Sequence, residues 1–212
     1  MDTPVITMLG IVILHKVNRY MSDSTEHNAR LQQALADLQQ RYRQAYTEAG
    51  MVPQTEYLDE WQAPCYDGEV RFGLIPWRAV VQQPVTNFSD VERGLESHLH
   101  TDVQLFYATY FAADLHVALD GHPMTLSQVM CVEDVERLHR NLIAHVLMKR
   151  QLQQDVTLFI GTSDASDDLI VSVNNLTGEV GLEYAGKPQH EKLADNLTEF
   201  LQRLDVRVVT DA

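Results

Sequence analysis

Three short β-type runs, residues 156–160, 169–173 and 179–184, follow one another with turn-rich stretches between them. The intervening segments carry Asp164, Asp167 and Asp168, and then Asn175-Leu-Thr-Gly178. Such connections are too short for a crossover helix, so these strands must pair antiparallel. A fourth and fifth run add to them. Leu115, Val117 and Leu119 alternate with His116 and Ala118, Asp120-Gly121 is a hairpin signal, and residues 124–129 form the returning strand.

Helical patterns stand before, between and after these runs. Leu31, Leu35, Leu38, Tyr42, Ala45 or Tyr46, and Ala49 recur at spacings of three and four, which predicts a helix over 28–49 ended by Gly50 and Pro53. Val135, Leu138, Leu142 and Val146 predict a second, over 133–151, with Glu133 and Asp134 in its first turn and Lys149 and Arg150 in its last. Leu193, Leu197, Phe200, Leu201 and Leu204 predict a third over 191–204. Ser89-Asp-Val-Glu92 reads as a capping box opening a helix that reaches Leu99. The aromatic and β-branched run 105–111 reads as a strand. Residues 53–84 are expected to meander, with a short strand at 70–74 and with Trp61 and Trp77 as anchors to the core. The layout is α+β, a single domain in which a mainly antiparallel β-sheet is covered by helices, mostly on one face.

The first twenty residues are set apart. Residues 5–14 form an apolar run of ten, against the roughly 20 that a membrane-spanning helix needs. Asp2 precedes the run while Lys16 and Arg19 follow it, the reverse of a signal peptide. Residues 1–20 are therefore expected to be an upstream extension, with Met21 as the start of the domain spanning 21–212.

Charge narrows the partners. Thirty acidic residues face sixteen basic ones, a formal net charge of −14. That surface repels phosphate backbones and anionic headgroups and suits a Lys/Arg-rich partner. Within it, Glu92 and Glu96 are four apart on one predicted helix and project from one face. Asp102 and Asp114 flank the aromatic run, and Glu133 and Asp134 crowd a helix start. These six residues are the candidate partner-binding carboxylates, with Tyr107, Tyr110 and Phe111 beside them as candidate contact area.

Signals for catalysis are sparse. The chain holds no phosphate-binding glycine loop and no G-x-S-x-G elbow. Cys65 and Cys131 are far apart and outside any metal spacing, which suits reduced thiols in a reducing compartment. His98 and His100 form an H-x-H pair, and His116, His139 and His145 lie downstream. A metal-dependent hydrolase using these histidines stands as one alternative. Against it, His98 and His100 fall at a predicted helix end, where residues two apart do not share a face, and His145 suits a hydrogen-bonded core histidine. No cofactor is expected.

Several of these segments also resemble a known family. The stretches Leu105-FYATYFAADLHVAL-Asp120, Leu138-HRNLIAHVLMKRQL-Gln153, Thr157-LFIGT-Ser163, Ile170-VSVNNLTGEV-Gly181 and Leu193-ADNLTEFLQRL-Asp205 are similar, in that order, to the Syd family of bacterial SecY-interacting proteins. Ala63-Pro-Cys65 and Val91-Glu-Arg93 look like family positions too. The resemblance covers roughly residues 31–204. It implies a SUKH-group domain that is not an enzyme. It also implies loose, peripheral association with the cytoplasmic face of the inner membrane through SecY, and control of the channel when it is not properly assembled. The implied mode is an acidic concave surface against the basic cytoplasmic loops of SecY in the SecYEG translocon. An immunity protein that neutralises a toxin through an acidic surface is the other alternative.

Overall fold

A seven-stranded, wholly antiparallel sheet organises the chain in the computed structural model, which describes residues 5–209 and, from Asp23 onward, their side chains. In chain order the elements are α1 (Val5–Glu48), β1 (Gln54–Glu56), β2 (Leu74–Pro76), β3 (Val80–Val81), α2 (Ser89–Leu95), α3 (Thr101–Ala108), β4 (Tyr110–Phe111), β5 (Leu115–Leu119), β6 (His122–Leu126), α4 (Val132–Gln151), β7 (Thr157–Ser163), β8 (Leu169–Asn174), β9 (Val180–Tyr184), β10 (Glu191–Ala194), α5 (Leu197–Arg203) and β11 (Asp205–Val206). The main sheet runs β10-β9-β8-β7-β6-β5-β11, and β1 with β2 and β3 with β4 form two short ribbons. The α+β class is as expected. The expectation for residues 1–20 rests on side chains outside the described residues.

Local chemistry explains the strongest elements. Asp120 and Gly121 both take positive φ, 50° and 84°, and join Leu119 to its partner His122 in a two-residue hairpin. In α4, Glu133 and Asp134 sit at the positive end of the helix dipole and Lys149 and Arg150 at the negative end. Its stripe of Val135, Leu138, Leu142 and Val146 is buried. Helix α1 buries Leu31, Leu35, Leu38, Tyr42 and Tyr46, and packs on α3 and α5.

Four expectations are corrected. Residues 105–111 are not one strand: 105–108 end α3, Thr109 is its C-cap, and only Tyr110–Phe111 form a strand, β4. His100 caps that helix by accepting the Asp102 N–H at its Nδ1 (3.3 Å), and Val103, Phe106 and Tyr107, at helical spacing, are all buried. Residues 191–204 are not one helix but β10, a turn and α5. Asn196 starts α5 by accepting the Glu199 N–H (2.9 Å), while Asp195 N donates back to Glu199 Oε2 (3.2 Å). The capping box at Ser89 does not form. Ser89 N donates to Asn87 Oδ1 (2.7 Å), Phe88 occupies the cap position, and α2 stops at Leu95. The strand expected at 70–74 lies later, at Leu74–Pro76, where Ile75 is buried.

Both faces of the sheet are covered at β9, where Val180, Gly181, Leu182 and Glu183 are buried in succession. Trp77 is buried and Trp61 packs against the core from its edge, as expected of the two anchors.

Candidate functional site

The six candidate carboxylates fall into two groups, set by the ends of α4. Arg150, in its last turn, donates to the Leu95 carbonyl (2.7 Å), which fixes the end of α2 beside the end of α4. Glu92 and Glu96 belong to that end, with Asp102 in the α3 turn that follows. Asp114, Glu133 and Asp134 belong to the start of α4. Asp134 and Arg150 are sixteen positions apart on one helix, about 24 Å at 1.5 Å per residue.

Glu92 and Glu96 do not share a helical face. Glu96 takes the left-handed conformation (φ 49°) that terminates α2, and it is exposed. Glu92 turns inward. Its Oε1 accepts from Leu99 N (3.0 Å) and from Gln104 Nε2 (3.1 Å), and His98 Nδ1 lies 3.4 Å away. This carboxylate ties the α2–α3 loop to α3. Asp102 is 1% exposed. His27 Nε2 stands 2.7 Å from its Oδ1, while Oδ2 is buried without a hydrogen-bond partner. The shallow cleft there is lined by His27, His100, Thr177 and Asn196. Gly178, at φ 78°, lets the chain pass under His100: a Cβ there would stand 2.7 Å from the ring Nε2.

At the start of α4, Asp134 is buried and fully engaged. Met130 N donates to its Oδ2 (2.9 Å) and Arg137 Nε to its Oδ1 (2.9 Å). The Arg137 guanidinium lies over the Trp61 ring, 5.2 Å from its centroid, which pins the 57–66 loop to this end. Asp114 accepts from Gln128 N (2.8 Å). By area its side chain is exposed. Desolvation by the surrounding chain nevertheless pushes its carboxyl up to about 6, and the neighbouring Asp134 charge adds to the rise. Glu133 is exposed, and its own backbone N–H holds its carboxyl below the usual range.

Tyr107 and Phe111 are core residues: Tyr107 is buried and donates to the Phe159 carbonyl (3.0 Å), and Phe111 is buried. Tyr110 is half-buried and lines a cavity of about 280 Å³ with Arg43, Trp77 and Arg78. Burial pushes the Cys65 thiol up to about 12 and that of Cys131 to about 11, so neither is a thiolate nucleophile at neutral pH. The histidines take separate posts. His100 caps α3, His116 contacts Thr125 Oγ1 (3.2 Å), His139 packs against Phe88 with the rings tilted by 56°, and His145 meets Thr157 Oγ1 (3.1 Å). Among the described residues, no three His, Cys, Asp or Glu side chains are arranged to hold a metal ion.

One charged cluster has no signal in the sequence. Lys149 and Glu183 are both fully buried, with Nζ donating to Oε2 (3.2 Å) and to the Lys187 carbonyl (2.8 Å). Thr157 and Ser172 hydroxyls donate to the same carboxylate (3.0 and 3.1 Å), and His145 Nε2 lies 3.4 Å from it. Burial pushes the Glu183 carboxyl up, but these bonds and the Lys149 charge outweigh it and hold it below the usual range. The network joins α4 to the sheet, with Lys149 and Glu183 both shielded from solvent.

Fold and site together define an acidic α+β domain with an antiparallel sheet and the candidate carboxylates near the two ends of α4. The family described as Syd protein (SUKH-2) matches residues 32–205. Protein Syd of Idiomarina loihiensis is 38% identical over 166 residues, 78% of this chain and 91% of that protein. Protein Syd of Pseudoalteromonas translucida is 41% identical over 149 residues, 70% of this chain and 83% of that protein. That of Colwellia psychrerythraea is 34% identical over 190 residues, 85% and 94% respectively. The chain belongs to the Syd family.

Proposed function

We propose that this chain is a binding protein, not an enzyme, and that it recognises the SecY subunit of the bacterial translocation channel from the cytoplasmic side. Family membership carries the reading. The net charge of −14 supports the polarity of the contact, since the cytoplasmic loops of membrane proteins are rich in Lys and Arg. Among the described residues no helix is long and apolar enough to cross a membrane, so attachment through a membrane-embedded partner suits the chain.

The exposed carboxylates Glu96, Asp114 and Glu133, with half-buried Glu92, supply the attraction. Asp102 and Asp134 act from beneath, by holding the loops that carry them. Charges of this kind raise the association rate and set selectivity more than they deepen affinity. The role is to monitor whether the channel is correctly assembled.

Titrating the full chain onto SecYEG in nanodiscs at rising salt tests this. Saturable binding that weakens between roughly 50 and 300 mM salt is expected, because screening shortens to within about 10 Å over that range. Loss of binding in Glu133→Lys but not Glu96→Lys would place the contact at the start of α4, and the converse at its end. A chain that fails to bind at low salt would sink the SecY reading.

A further inference from the structure

We infer that the hairpin carrying Phe72 is a second contact element, whose aromatic tip enters an apolar crevice rimmed by basic residues on the protein partner. The inference rests on the proposed recognition of SecY and extends it to a residue outside the carboxylates. Phe72 is 105% exposed, the most exposed large hydrophobic side chain among the described residues. It also holds a positive φ of 54°, followed by Gly73 at 82°, in the tight turn that closes the Arg71–Leu74 bridge. The β5–β6 hairpin fills the equivalent pair with Asp120 and Gly121, which suit that backbone. Phenylalanine does not suit it: a bulky residue there is an outlier. The ring therefore sits in a strained conformation and in water, and among the described residues no packing offsets either condition. Strain combined with an apolar surface that packs on nothing is what a preformed contact residue shows.

Placement supplies the occupant. The tip is held by β1 and β2, whose register sets Thr55 opposite Ile75 and Glu56 opposite Leu74, and Tyr57 N donates to the Gly73 carbonyl (2.8 Å). That ribbon rests at the start of α4: Thr55 Oγ1 reaches Met130 Sδ (4.0 Å), and Met130 N is bonded to Asp134. The Phe72 hairpin and the carboxylates Asp114 and Glu133 are thus anchored at one end of the molecule. Glu56, Asp59, Glu60, Asp67 and Glu69 surround the ribbon and are all exposed. Its two arginines, Arg71 and Arg78, are already paired with Glu69 (3.4 Å) and Asp67 (3.0 Å). An anionic lipid surface would repel this rim, whereas a basic protein crevice would complement it.

Two variants test the inference: Phe72→Asn, which fits positive φ, and Phe72→Trp, which keeps an aromatic tip. Phe72→Asn is expected to leave the thermal midpoint unchanged or raised and to weaken binding to SecYEG nanodiscs at least tenfold. Phe72→Trp is expected to bind within threefold of wild type. Equal binding by wild type and Phe72→Asn overturns the inference and leaves the SecY reading standing. A fall in the midpoint of Phe72→Asn overturns it too, because the ring would then serve the fold. Wild-type binding to protein-free anionic vesicles that Phe72→Asn loses would assign the tip to lipid and overturn the crevice. Failure of the wild type itself to bind SecYEG removes the reading, and the inference with it.

Discussion

Lys149 Nζ donates to Glu183 Oε2 over 3.2 Å, across thirty-four residues of sequence, with both side chains fully buried. Removing one partner strands the other charge in the interior, which costs about 3–5 kcal/mol. Glu183→Gln is therefore expected to lower the thermal midpoint by about 10 °C, since about 1 kcal/mol moves a domain of this size by 2–4 °C. The double variant Lys149→Met/Glu183→Leu should recover much of that loss. Calorimetry of the three variants checks both statements. Equal midpoints for wild type and Glu183→Gln would show that the pair contributes nothing.

The same carboxylate sets an acid limit. Its pKa in the folded chain is below that of the unfolded chain, so its contribution is present in full above about 4.3, the ordinary Glu value. The contribution is lost as pH falls from there through the folded value. The urea midpoint of the wild type should drop more steeply below pH 4.3 than that of Lys149→Met/Glu183→Leu. Parallel curves would remove Glu183 from the account.

Asp114 works in the opposite direction. With its folded pKa raised to about 6, the native state binds a proton more tightly than the unfolded chain, and stability is lost as pH rises between about 4 and 6. Asp114→Asn keeps an acceptor for Gln128 N and removes the charge. Its thermal midpoint is expected to exceed that of the wild type at pH 7.5 and to match it near pH 4. A difference that does not change with pH would refute the assignment.

Neighbours on α4 should separate structure from binding. Asp134→Ala leaves the Met130 N–H without its acceptor and is expected to destabilise by about 1–3 kcal/mol in urea titration. Glu133→Ala alters an exposed position and should stay within about 0.5 kcal/mol of wild type. Binding to SecYEG should move the other way, with Glu133→Ala slowing association at low salt. An unstable Glu133→Ala would place that residue in the fold.

Gly178→Ala combines a positive φ with a Cβ 2.7 Å from the His100 ring. A loss of about 1–2 kcal/mol is expected, with faster amide exchange at the start of α3, where His100 is the cap. Unchanged exchange there would mean that the ring moves aside freely.

Local chemistry in the sequence determined the elements that answer to a single periodicity. The stripe of α4, the alternation of β5 and the Asp120-Gly121 turn each carry their own signal, and short connections then force antiparallel pairing. Where two readings share one pattern, tertiary structure decided. The run 105–111 is apolar enough for a buried strand or a buried helix, and the His100 cap with burial of Val103, Phe106 and Tyr107 selects the helix. Residues 191–204 keep helical spacing throughout, yet pairing with β9 draws the first four into the sheet. Charges behaved likewise. The surplus of carboxylates is plain in the composition, but the burial of Asp102 and Asp134 and the inward turn of Glu92 depend on chain segments distant in sequence. The Lys149–Glu183 pair depends on such a segment as well. No local pattern encodes which carboxylate meets water, because that is set by what packs over it.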